Sequence, residues 1–483
     1  GGRAADPRPC GRRVPRTCGR NTEQMTMKAD LLLKDGRIVW PDLGTGRGSV
    51  AVRDGKIAAI LAQGEDLPAH RVIPCHGAWI MPGLIDPHTH FGFGAGDDDF
   101  RPESRSAALG GVTSYLSFHR SADLADSTPR WIAAGERLSW LDFGCHFGLT
   151  SLRHVAQLPE VMERFGVNSA KLYLMYKGAS GAAKGFTEID DGLLFAAMRQ
   201  LASLSGSVLG VHCENVEVIP GLRTPLREAG RDDLAAWDEQ SPDFLEAENV
   251  FRVGYFSEKT RCRVNIVHLS AGEGLDIVQM LRGRSHPAPI EVETCAHYLS
   301  LSTDSTAGLL GKVNPPLRGR RDVDALWNGI AKGQILTVGS DHVPRKRATK
   351  GPDIWQASAG FPGIATLLPV LITEGWHRRG IPPERLAAVT SANVAALYRI
   401  PGKGSMRVGD DADLVVVDPD CERVVQAATL ESHSDYSPYE GMTLRGWPSL
   451  TVAGGRVMME NGTLTDEAET RRGRYLHRTS GAG

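Results

Sequence analysis

Paired cysteines are missing from this chain. Its eight cysteines (Cys10, Cys18, Cys75, Cys145, Cys213, Cys262, Cys295 and Cys421) are scattered over 483 residues, with no CxxC pair and no framework spacing. This excludes a disulfide scaffold and reads as reduced thiols of a cytoplasmic protein. Long apolar runs are lacking too; none approaches the roughly 18–20 residues a membrane helix needs. Nor is there an excess of charge of one sign. The formal net charge is −2, which gives no basis for nucleic acid or an anionic membrane as partner. No Gly-rich dinucleotide fingerprint follows the first strand of the central region, which counts against a doubly wound nucleotide-binding sheet.

Residues 1–24 hold six arginines, Asp6, Glu23 and three prolines, without apolar periodicity. With no apolar segment behind them they are not a secretory signal. We expect residues 1–26 to stand outside the fold as a non-native or disordered leader, with the native start at Met25 or Met27. From Ala29 the text reads as short strands, with Asp-Gly at 35–36 and 54–55, a strong hairpin signal. The same texture returns at 411–419 and 449–462. The two flanks are therefore expected to build one small β-sandwich domain (27–80 plus 404–465), followed by a tail (466–483).

The middle, 81–403, contains eight apolar, β-branched runs separated by helix-length stretches: 79–86, 113–118, 143–149, 169–175, 207–213, 263–269, 289–299 and 334–341. Alternating βα units imply parallel strands buried on both faces. Eight of them predict a TIM (β/α)8 barrel with its chemistry at the C-terminal strand ends. Polar residues fall at those ends. The first run closes on Asp86-Pro87-His88-Thr89-His90, whose two histidines share a strand face and can grip one metal ion. The fourth carries Lys171 inside an apolar stretch, where an ammonium is costly unless paired or chemically altered. The fifth ends at His212, the sixth at His268 and the eighth at Asp341. Singly these read as a loop pair, a snorkelling lysine, core histidines and a helix cap. Together, six such groups at five strand ends are hard to produce by accident.

At this point the chain resembles the cyclic amidohydrolases, namely hydantoinase, dihydropyrimidinase, allantoinase and dihydroorotase. The resemblance runs from about Ala29 to about Arg478, through MPGLIDPHTH (81–90), SAKLYLMYKG (169–178), VHCEN (211–215), IVHLS (266–270), VNPPLR (313–318), GSDHVP (339–344) and YSPYEGM (436–442). It implies that His88, His90 and Asp341 hold one divalent metal, usually zinc, and that His212 and His268 hold a second. Lys171, carboxylated on its ε-nitrogen, would bridge the two. A carbamate there turns a buried cation into an anion between two dications. Asp341 would act as general base and then acid, and Tyr176 would donate to the developing oxyanion.

Asn314 falls where hydantoinases commonly have serine, at a position that meets substrate through its backbone. In WQASAGFPGI (355–364), Ala359 stands where a substrate loop has asparagine. Dihydroorotases follow the HxH with Phe-Arg, and this chain has Phe91-Gly92. Phe91 and Phe93 are read as lining an apolar pocket for a ring substituent, on a loop made mobile by Gly92, Gly94 and Gly96. The favoured activity is metal-dependent opening of a hydantoin or dihydropyrimidine ring to an N-carbamoyl amino acid. Allantoinase and then dihydroorotase activity are the alternatives. A non-catalytic scaffold related to dihydropyrimidinase is the rival of another class, and the six intact metal positions argue against it. The resemblance also implies a homo-oligomer, a tetramer or a dimer.

Overall fold

The computed structural model describes residues 28–478 except 183, 185, 285 and 286; the leader expected at 1–26 lies outside them. Strands β1 (Ala29–Trp40), β2 (Gly44–Arg53), β3 (Lys56–Ala62), β4 (Ala69–Pro74) and β5 (Trp79–Pro82) open the chain. Asp54-Gly55 makes the β2–β3 turn, with φ +52° and +74°, the left-handed pair that a two-residue hairpin requires. Asp35-Gly36 does something else. Strand β1 runs straight through it, with a register shift against β2 between Leu33 and Gly36. A β-carbon at Gly36 would lie 2.5 Å from Ile80 Cδ1, so this glycine serves a bulge and a close approach.

The run at 79–86 is two strands. Trp79–Pro82 pairs parallel with β1, and after Gly83 the chain enters β6 (Leu84–Thr89), the first barrel strand. A β-carbon at Gly83 would meet Thr113 Oγ1 at 2.3 Å, so only glycine fits this crossing between the two sheets. Parallel strands β7 (Val112–His119), β8 (Asp142–Leu149), β9 (Ser169–Tyr173), β10 (Val208–His212), β11 (Val264–Ile266), β12 (Ile290–Cys295) and β13 (Thr337–Gly339) follow in sheet order. Thr89 bridges His342, and the His90 N–H donates to the His342 carbonyl at 2.8 Å, so the last strand returns to the first. Buried Asp86 reinforces the seam by accepting from the N–H groups of His88 and Ser340, both at 3.1 Å. Helices fill the crossovers. One of them, Leu152–Phe165, is capped by the Ser151 hydroxyl and ends on Gly166 at φ +61°, the left-handed close that glycine favours.

Strands β14 (Leu414–Val417), β15 (Glu422–Val424), β16 (Thr443–Arg445), β17 (Pro448–Ala453), β18 (Arg456–Glu460) and β19 (Thr463–Leu464) complete the chain. β14 lies antiparallel to β5, so strands from both flanks form one nine-stranded sheet in the order β19-β18-β17-β14-β5-β1-β2-β3, with β4 beside β1. Leu33, Ile38, Val50, Ile80, Leu414 and Val452 share its core. The architecture is a TIM barrel with a small β-sandwich domain drawn from both chain flanks. Among the described residues no helix is long and apolar enough to cross a membrane.

Candidate metal centre

Six side chains converge at the C-terminal mouth of the barrel. His88 Nε2 lies 3.2 Å and His90 Nε2 3.1 Å from the same oxygen, Asp341 Oδ1. Lys171 Nζ sits 2.9 Å from His88 Nε2 and 3.5 Å from His268 Nε2, while His212 Nδ1 faces His268 Nε2 at 3.0 Å. His268 and Asp341 both adopt positive φ, +42° and +48°. Non-glycine residues seldom stay there unless the surroundings hold them, and here the twist turns each side chain off its strand end into the mouth.

Burial keeps these imidazoles neutral. It pushes His88 and His268 well below the ordinary histidine value, and the neighbouring Lys171 charge adds to the effect. His90 is brought to about 4 by the same desolvation. For Asp341, burial acts upward, but the hydrogen bond from His90 and the nearby Lys171 charge work against it, and the carboxyl stays below its usual range. Burial brings Lys171 down to about 8.

Carboxylates behind the ring fix which nitrogen faces inward. His88 Nδ1 pairs with Glu293 Oε1 at 2.6 Å, and His212 Nε2 with Glu214 Oε2 at 3.0 Å. With those nitrogens protonated toward carboxylates, His88 Nε2 and His212 Nδ1 carry bare lone pairs into the centre. A lone pair 3.2 Å from a carboxylate oxygen is acceptor against acceptor, and a cation between them resolves it. Burial also pushes Glu293 up to about 8, against the lowering influence of the Lys171 charge. The donor set of imidazoles and carboxylate suits zinc or a similar divalent ion. His88, His90 and Asp341 offer ligand atoms all within 4.8 Å of one another.

A cavity of about 480 Å³ opens above this floor, lined by His90, Lys171, Tyr176, His212, Asn314 and Asp341 among others. Tyr176 is half-buried there, its ring against Phe186 at 4.9 Å. Phe93 also reaches the cavity, whereas Phe91 packs into the interior against Tyr115, Phe100 and His342. The structure therefore separates Phe91 from the other predicted site residues: the chain turns at Gly92, so consecutive odd residues no longer share a face. The loop tip is also tied down rather than free, since the Asp99 carboxylate accepts from the N–H groups of Gly92, Gly94 and Ala95 at 2.7–2.8 Å.

Several residues that support the site escaped the sequence reading. Glu293 sits inside an apolar run of β12, and Glu214 follows two residues after His212, just past the end of β10. Buried Arg318 donates to Ser270 Oγ at 3.0 Å and to Asp238 at 2.6 Å, while Ser241 Oγ donates to Glu214 at 2.7 Å. Arg120, at the end of β7, lines the cavity and carried the same positional signal as the histidines.

Comparison with known proteins agrees with this geometry. The amidohydrolase family pattern matches residues 266–458. The chain is 32% identical over 455 residues to an L-hydantoinase of Paenarthrobacter aurescens, covering 91% of this chain and 96% of that protein. It is 34% identical over 447 residues to an allantoinase of Rubrobacter xylanophilus, covering 90% and 95% respectively. The crystal structure of dihydropyrimidinase from Brevibacillus agri superposes with a TM-score of 0.84 at 27% identity, over 94% of this chain and 99% of the other. The chain belongs to the amidohydrolase family, among relatives named as hydantoinases and allantoinases.

Proposed function

We propose that this enzyme hydrolyses a cyclic amide, opening a hydantoin or dihydropyrimidine ring to the N-carbamoyl amino acid. The observation that carries this reading is the convergence of His88, His90, Lys171, His212, His268 and Asp341 on one space at the cavity floor. His88, His90 and Asp341 would hold one zinc ion and His212 and His268 a second, and Lys171, as its carbamate, would serve as a ligand between the two sets. Burial supports the carbamate, because a lysine brought to about 8 supplies the neutral amine that adds carbon dioxide. Bound there, the metal pair supplies a water activated near neutral pH.

The chain's own residues then do the following. Asp341 accepts the proton of the attacking water and returns it to the departing ring nitrogen. Tyr176 donates its hydroxyl to the ring carbonyl oxygen as charge develops. Asn314, which also lines the cavity, positions the ring. Water adds to the carbonyl carbon, the ring C–N bond breaks, and the nitrogen leaves as the amide of a carbamoyl group.

The test is a panel of rings: hydantoin, 5-phenylhydantoin, dihydrouracil, allantoin and dihydroorotate, each with and without added zinc. Zinc-dependent opening of a hydantoin or dihydrouracil is expected. Opening of allantoin alone would move the enzyme to its other group of relatives. Silence on every ring with two metals bound would sink ring hydrolysis as the activity.

A further inference from the structure

The cavity wall beside the metal centre is cationic, and its cations are not neutralised from within. Arg120 at the end of β7 stacks over Phe93, with its guanidinium carbon 4.6 Å from the ring centre, and lies 5.3 Å from that of Tyr173. Arg345, just past β13, approaches the same Phe93 ring from 5.8 Å and gives its Nε–H to the Ala359 carbonyl at 3.0 Å. Among the described residues no carboxylate pairs with Arg120 or Arg345. Arg223 and Lys312 line the same cavity, where they donate to Gln240 and to the Ile354 carbonyl, again without a carboxylate. Among the described residues only two carboxylates face the cavity, and both are committed: Asp341 to the metal cluster, and Glu214 to His212 and Ser241.

A second observation points to a ligand. Tyr173 is 3% exposed and lines the cavity, yet among the described residues its hydroxyl has no hydrogen-bond partner. A buried hydroxyl without a partner costs stability. Here it stands beside an unpaired guanidinium stacked on its own ring. Two donors so placed lack one thing, an acceptor carrying negative charge. Arginine's planar fork is suited to a carboxylate, and aromatic faces hold the guanidinium flat without quenching its donors.

We infer that the ring opened by this enzyme carries a short carboxylate arm, bound by Arg120 with the Tyr173 hydroxyl and with Arg345 facing it across Phe93. This deepens the proposed ring hydrolysis and rests on it. It also changes the role of Phe93, which becomes the platform for a guanidinium instead of the lining of an apolar pocket. The acid arm takes no part in bond breaking, so the product keeps it and gains the new carboxylate from the ring carbonyl.

The experiment compares hydantoin-5-acetic acid with its uncharged carboxamide on the zinc-loaded enzyme. The acid is expected to be favoured at least tenfold in kcat/KM, equivalent to about 1.4 kcal/mol. That preference should fall towards one in Arg120→Gln and survive in part in Arg120→Lys. Equal turnover of acid and amide, or a preference that Arg120→Gln leaves intact, overturns the inference while ring hydrolysis stands. If neither ring opens, ring hydrolysis fails, and calorimetric titration of the same two compounds decides the inference by itself. Tighter binding of the acid that depends on Arg120 upholds it, and equal or absent binding removes it.

Discussion

Lys171 is 1% exposed, and its nitrogen is surrounded by imidazoles at 2.9 and 3.5 Å and by the aromatic faces of Phe118 and Tyr173. No carboxylate comes close enough to pair with it among the described residues, and an isolated buried ammonium carries a desolvation penalty of several kcal/mol. Conversion to a carbamate removes the cation and gives two oxygens to the space between the imidazoles. Lys171→Ala is therefore expected to lose both metals and nearly all activity, with partial recovery in millimolar short-chain carboxylates. Elemental analysis after gel filtration reads the first effect; full metal content in that variant would exclude the bridge. The same scale shows what suits His88 and His212 to metal ligation. Each is oriented by a carboxylate drawn from the barrel interior, Glu293 or Glu214, and such partners govern metal affinity almost as strongly as the ligands do.

At the scale of elements, the wall formed by residues 354–360 is held by two buried lysines. Lys350 Nζ donates to the carbonyls of Lys312, Ser358 and Gly360 at 3.3, 2.9 and 2.7 Å, and Lys312 Nζ donates to Trp355 O at 3.3 Å. Three carbonyls about one nitrogen use all the donors of an ammonium. Lys350→Met should release this wall and lower kcat/KM roughly tenfold to a hundredfold through substrate misplacement, with metal content retained. A variant that loses its metals as well would place the lysine in support of the centre. The elements also show what the sequence could and could not announce. The eight buried runs and their polar ends were legible because parallel barrel strands are apolar throughout and stop where chemistry begins. The division of 79–86 was not, since nothing in WIMPGLID except Gly83 marks the passage from one sheet to another. Asp35-Gly36 carried a hairpin's dipeptide, but β1 does not turn there: its pairing with β2 shifts register after Leu33 and resumes at Gly36. Arg120 followed the rule that singled out the histidines, whereas Arg345, beyond its strand, needed the loop's path to bring it to Phe93.

At the scale of the whole molecule, the barrel and the small sheet are joined by a buried ion cluster. Lys403 Nζ lies 3.0 Å from Asp142 and 3.1 Å from Asp411, and also contacts Asp413. Lys56 reaches Asp411 at 2.6 Å, and Arg471 and Arg474 reach Asp142 at 2.8 and 2.9 Å. The three aspartates could hold a metal ion by geometry alone, but the ammonium of Lys403 already occupies the space between them. Burial raises the Asp142 carboxyl, yet Lys403 and Arg471 outweigh it and hold it far below the usual range. Burial likewise works against the Lys403 charge, while Asp413, Asp142 and Asp411 raise its value above the ordinary one. A depressed carboxyl stabilises the fold above its unfolded value and ceases to do so as pH falls below it; a raised lysine stabilises below its unfolded value and ceases as pH climbs past it. The tie is thus at full strength from about pH 4 to about pH 10. Lys403→Met, which leaves buried Asp413 without a cation and takes one partner each from Asp142 and Asp411, should cost about 3–5 kcal/mol at neutral pH. Its Tm deficit should shrink below pH 4, and a deficit independent of pH would show that packing, not charge, is what Lys403 supplies.

The pairing of β5 with β14 has a further consequence, in the order of synthesis. When a ribosome has delivered residue 82, β1 is already available to pair with β5, but the other edge of β5 waits for a strand some 330 positions later (Leu414 pairs with Pro82). At roughly 5–20 residues per second, that edge stays open for on the order of tens of seconds. Throughout that time the nascent chain displays unpaired backbone beside an apolar face, the kind of surface that recruits other chains. The small sheet is begun before the barrel and closed only after it, so its open edge has to be kept from other chains while the barrel is still being made.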